Sequence, residues 1–127
     1  INAAAGTYAL CWCSTSGGSS CSSPSDFAVQ AGVMNVVGPD KNPTASVCTT
    51  GFPCTVTIAG KGLSDTHLMM IKEQAATQCN SNNAIVPAFS DNGQSSVAIN
   101  RGTVYRWEDS ISAAGGQYKL CWCSFLT

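Results

Sequence analysis

Charge is what this chain has least of. Only 10% of its 127 residues are Asp, Glu, Lys or Arg, where a soluble domain usually carries about a quarter. Six basic and seven acidic side chains give a formal net charge of −1. With no basic stripe to neutralise phosphates, nucleic-acid partners are not expected. The chain has no run of about 18 apolar residues, so no segment is expected to span a membrane. It has no Asn-x-Ser/Thr sequon either, because Asn42 is followed by Pro43 before Thr44. N-glycans are therefore not expected, although the Ser/Thr-rich stretch from Ser14 to Ser25 could carry O-glycans. The chain opens at Ile1 without a Met, a basic n-region or an apolar h-region. That predicts either a removed signal peptide or an excised piece of a longer protein.

Cysteine, by contrast, is abundant: Cys11, Cys13, Cys21, Cys48, Cys54, Cys79, Cys121 and Cys123. An even count beside a single histidine favours disulfides over metal ligation. Stable disulfides need an oxidising compartment, so the protein is expected to be secreted, at a cell surface or in an extracellular appendage. The length suits one domain with a real core.

The two ends of the chain repeat each other. Residues 6–14 read GTYALCWCS and residues 116–124 read GQYKLCWCS, with seven of nine positions identical at an offset of 110. A chance match containing Cys-Trp-Cys twice is very improbable, and the offset is about the length of one immunoglobulin-sized module. The period-two rule for strands puts Tyr118, Leu120 and Trp122 on one face and Cys121 and Cys123 on the other. The aromatic face is expected to be buried, leaving the cysteine face to cross-link to a neighbour.

Between the copies lie short strand-like runs punctuated by Gly, Pro, Asn and Asp. They are 26–30 and 33–37 on either side of Gly32, then 54–59, 67–71, 85–89, 97–100 and 103–107. Many short strands with regular turn signals predict an all-β sandwich. The segment MMIKEQAATQ at 69–78 is rich in helix formers. It is read as a strand followed by a helical turn, with a short helix as the alternative.

Two resemblances follow from these motifs. Gly38-Pro39 followed by CTVTIAGKGLS at 54–64 is similar to the opening of IPT/TIG-type immunoglobulin-like domains. The combination of Y-x-L-C-W-C, Asp26-Phe27, G-x-x-x-V-x-G-P and C-x-x-x-x-x-C-T-V-T-I-x-G resembles repeat modules of large secreted protist proteins. In that pattern the modules run in tandem, with Y-x-L-C-W-C near the end of each. The resemblance implies a disulfide-stapled immunoglobulin-like β-sandwich at 33–127, preceded by an N-terminal arm at 1–32 that carries the duplicated strand. Tyr118 would then be a corner tyrosine, and the body would lack its final strand.

Proximity and the repeat point to three disulfides among the 105 pairings that eight cysteines allow: Cys13–Cys21, Cys48–Cys54 and Cys79–Cys121. Cys11 and Cys123 are left over as inter-module or inter-subunit candidates. Either they pair with each other, within or between chains, or the bridges reshuffle head to tail. Tandem modules in one longer polypeptide are the alternative to separate subunits.

Other candidates are weaker. His67, with Asp65 two residues before it, lacks a nucleophile motif and reads as structural. Glu73, Asp91, Glu108 and Asp109 read as solvated charges. Cys11, Cys13, Cys121 and Cys123 would make a poor zinc site, because C-x-C on a strand clamps less well than C-x₂-C. Asp91-Asn92-Gly93 is too sparse for calcium. Tyr105, Arg106 and Trp107 form a candidate ligand platform for glycans, whereas Trp12 and Trp122 read as core. No cofactor and no enzymatic activity are expected. The leading expectation is a structural or adhesive module that assembles with copies of itself or with neighbouring modules. The alternative is a surface lectin or receptor-binding adhesin.

Overall fold

The computed structural model describes residues 3–40, 46–76, 78–82 and 85–124. Residues 1–2 of the expected arm, residues 41–45, 83–84 and 125–127 of the expected sandwich, and residue 77 of the 69–78 segment lie outside them. Among the described residues eight strands run in order: β1 (Gly6–Trp12), β2 (Val29–Val36), β3 (Gly38–Pro39), β4 (Cys54–Thr57), β5 (Gly60–Lys61), β6 (Leu68–Glu73), β7 (Val104–Trp107) and β8 (Tyr118–Cys123). Helical structure among the described residues is confined to three short 3-10 turns, so the protein is all-β. The strands form four antiparallel pairs: β1–β2, β3–β5, β4–β7 and β6–β8.

Two of these ribbons build the core. In β4 the side chains of Cys54 and Val56 are buried while Thr55 and Thr57 are exposed. In β7 Tyr105 and Trp107 are buried and Arg106 is exposed. Cys54 lies opposite Trp107 and Val56 opposite Tyr105, so the buried residues of both strands share one face, as period two requires. The β6–β8 ribbon contributes Met69 and Ile71 to the same cluster, with Tyr118 and Trp122 partly buried against it. One hydrogen bond joins the ribbons directly: the Trp122 indole N–H donates to the Tyr105 hydroxyl oxygen at 3.2 Å. The Trp107 indole N–H donates to the Gly93 carbonyl at 2.8 Å, so the largest buried side chain is also satisfied.

The segment 69–78 is extended through Glu73 and then turns. Met69 and Ile71 alternate into the core, and that burial outweighs the helix propensity of the residues around them. The run 85–89 does not form a strand. Ile85 makes one isolated bridge to Lys72, and a turn closes from the Phe89 N–H to the Val86 carbonyl. Pro87 removes the donor a ladder would need there. The run 97–100 contributes only an isolated bridge from Ile99 to Val104.

β2 is one continuous strand that passes through Gly32, not two runs separated by it. Its start is set upstream, where Pro24–Asp26 form a 3-10 turn. The Asp26 carboxylate accepts from the backbone N–H of Ser23 and of Ser22. Those bonds, the Ser23 backbone first, hold the carboxyl below its ordinary value. Strand β2 therefore crosses residue 32 and runs to Val36. After it Gly38 and Pro39 pair with Lys61 and Gly60. A Cβ on Gly60 would lie 2.4 Å from the Gly38 carbonyl oxygen, so only glycine fits that joint.

Candidate functional site

The duplicated sequence gives a stringent internal comparison, because nearly the same strand occurs in two environments. Locally the copies agree: the Tyr8 hydroxyl donates to the Ala4 carbonyl at 2.7 Å and the Tyr118 hydroxyl to the Ala114 carbonyl at 2.8 Å. Each tyrosine thus folds back on the residue four positions upstream.

Their surroundings are complementary. β8 is paired to β6, Cys121 is buried and bonded to Cys79, and Lys119 reaches the Ala76 carbonyl. The Trp122 ring meets His67 edge-on at 4.9 Å, and Tyr118 meets Phe89 at 5.5 Å. β1 has none of this. It is paired to β2 and followed by the Cys13–Cys21 bridge. Tyr8, Leu10 and Trp12 lie on one face together with Met34 and Val29, and all five are exposed, Trp12 at 54% and Val29 at 56%. The expectation that Trp12 is a core residue is thereby corrected. Alternation fixes the face a side chain shares, but only a second layer can bury it, and the arm has none.

β8, like β1, has one strand partner. Among the described residues no strand pairs with its second edge. Beside that edge the core opens as a groove of about 570 Å³, lined by Val56, Ile71, Phe89, Ile111, Tyr118 and Leu120 among others. Leu120 sits on the aromatic face of β8 and is still 38% exposed. Sequence reasoning did not reach this groove. Phe89 lines it from the run 85–89, which read as a strand, and Ile111 and Ala113 from a segment that gave no strand period; all three lie in irregular structure.

The other candidates fall out as follows. The structure contains the disulfides Cys13–Cys21, Cys48–Cys54 and Cys79–Cys121, with Cys11 and Cys123 as exposed free thiols. Two of the four thiols considered for zinc, Cys13 and Cys121, are therefore oxidised. Among the described residues no group of three or more His, Cys, Asp or Glu is gathered to hold a metal ion. Tyr105 and Trp107 are 0% and 1% exposed, so of the candidate platform only Arg106 reaches solvent. The alternation of β7 turns both rings inward. His67 is buried, its Nδ1 accepts from the Ser64 N–H at 3.1 Å, and the Asp65 carboxylate accepts from the Gly102 N–H at 2.8 Å. Both therefore tie loops together. Glu73, Asp91, Glu108 and Asp109 are exposed. Burial raises the Tyr105 phenol above its ordinary value, the charge of Asp65 adds to this, and the bond from Trp122 opposes it.

Three disulfides indicate an oxidising, extracellular-type compartment, and no described helix is long and apolar enough to cross a membrane. Comparison with known proteins finds no matching family, no matching curated protein and no matching solved structure.

Proposed function

We propose that this protein is a non-enzymatic extracellular building block that assembles head to tail with copies of itself, as a filament or surface-coat component. The observation that supports this most is the pairing of two unfinished surfaces on one chain. The arm exposes an apolar face built around a copy of a core strand, and the body exposes the free edge of that same strand beside an apolar groove. Within this reading the body is an immunoglobulin-like module with β4–β7 and β6–β8 as its two layers. β8 is the penultimate strand with Tyr118 at its corner, and the final strand is missing. The likeness to tandem Y-x-L-C-W-C modules of secreted proteins fits the same picture. Arm and groove are different patches, so a contact between them is heterologous and stays open-ended unless the rotation closes a ring. A lectin or adhesin reading loses its aromatic pair to the core.

Light scattering and negative-stain microscopy of the full chain over a range of concentrations test this. Open-ended growth into rods or ladders of regular spacing is expected. A chain that stays monomeric at every concentration would contradict it.

A further inference from the structure

Resting on that reading, we infer the joint itself: β2 of a second copy lies antiparallel against the free edge of β8, bringing its whole hairpin with it. The sheet then runs β6–β8–β2–β1, the last two strands belonging to the neighbour, whose apolar hairpin face closes the groove.

The backbone of β6 shows which groups of β8 are waiting for a partner. The Met69 carbonyl accepts from the Ser95 N–H at 2.8 Å and the His67 carbonyl from the Ala98 N–H at 3.1 Å. Residues 67 and 69 therefore point away from β8. Since successive residues of a strand alternate, 68, 70 and 72 point toward it. Their partners across the ladder are Cys123, Cys121 and Lys119. The backbone groups of Tyr118, Leu120 and Trp122 are thus the ones on the free edge, and none of them has a backbone partner outside the ladder among the described residues.

Three features select β2 as the occupant. The first is that β2, like β8, has a single strand partner among the described residues, which leaves its outer edge unpaired. The second is the composition of β2. Val29–Val36 (VQAGVMNV) contains no charged residue and no proline, two of the devices that keep an exposed edge from pairing with another chain, and its one β-bulge, where Leu10 pairs with Gly32 and Cys11 with Gln30, leaves the stretch from Gly32 to Val36 regular. The third is that the hairpin brings a ready apolar face. Met34 and Val29 stand beside Tyr8, Leu10 and Trp12 on the side that would turn inward, as Tyr118, Leu120 and Trp122 already do. Docking the hairpin whole adds hydrogen bonds without breaking the β1–β2 ladder. It also separates the free thiols: with β2 between β1 and β8, Cys11 of one chain lies roughly 10 Å from Cys123 of the next, two strand spacings. A disulfide needs Cα atoms within about 7 Å, so the joint is non-covalent.

Hydrogen exchange of the full chain, read by mass spectrometry on peptides spanning 117–124 and 29–36, tests this in dilute and concentrated samples. Assembly is expected to slow exchange at least tenfold at Tyr118, Leu120 and Trp122 and along the outer edge of β2. Assembly without protection of β8 would overturn this joint while leaving the assembly reading intact. Absence of assembly at any concentration would overturn both. Protection without an increase in mass would mean that the chain closes its own groove, which overturns the second copy as occupant. The Met34→Lys variant changes only the arm and leaves the core untouched. It is expected to abolish both assembly and the added protection of β8 while core amides stay protected. Assembly that survives it, with β8 still protected, would remove the hairpin face from the joint.

Discussion

Trp12 and Trp107 are the same residue type in opposite circumstances, and their energetics should differ accordingly. Trp107 is almost completely buried and donates to the Gly93 carbonyl, so Trp107→Ala should cost about 3–5 kcal/mol in a denaturant melt. Trp12→Ala should change the stability of the body by less than about 0.5 kcal/mol, the usual range for a surface site. Tyr105 supplies a pH dependence. Burial raises its phenol above the ordinary value of 10.0, so the folded state holds that proton more tightly than the unfolded chain. The resulting stability is fully present below the unfolded value and is lost as pH rises through the folded one. Denaturation midpoints followed from neutral into alkaline pH should fall in that window, and the fall should be absent in Tyr105→Phe. At this scale the sequence was legible where alternation was followed through, as in Val56, and misleading at Tyr105 and Trp107, which read as a ligand platform and are core. It misled at Trp12, because the same pattern holds whether or not a second layer exists.

Among the elements, the β1–β2 ribbon stands apart. A two-stranded hairpin is marginal on its own in water, and this one exposes both faces. The disulfides should report the separation of arm and body. Cys79–Cys121 spans 42 residues and fastens the loop after β6 to β8. Removing it with a Cys79→Ser/Cys121→Ser pair should lower the stability of the body by about 4 kcal/mol on the chain-entropy account. Removing Cys13–Cys21, which closes a loop inside the arm, should leave the melting of the body unchanged. A comparable loss from both pairs would show that arm and body unfold together. Strand β4 could be read from its strict alternation. The extent of β2 could not, because Gly32 carries a turn signal in sequence but lies within the strand, beside a β-bulge where Leu10 pairs with Gly32 and Cys11 with Gln30. The strand at 68–73 competes with real helix propensity, and only the core it faces decides the matter.

For the whole molecule, the sequence announced a duplicated strand and two unmatched cysteines but not the groove. That feature depends on irregular segments around Phe89, Ile111 and Ala113 arriving beside a free edge. Head-to-tail assembly would be directional, with the arm as donor and the groove beside β8 as acceptor, so the two can be disabled separately. Met34→Lys places a charge on the donor face. Leu120→Lys places one on the partly exposed lining of the acceptor. Sedimentation velocity of the two variants, alone and mixed, is the most direct measurement. Each variant alone should remain monomeric, and an equimolar mixture should form dimers and nothing larger, because each dimer joins one intact arm to one intact groove. A mixture that stays monomeric, or a single variant that still grows into long assemblies, would contradict head-to-tail joining through these two surfaces.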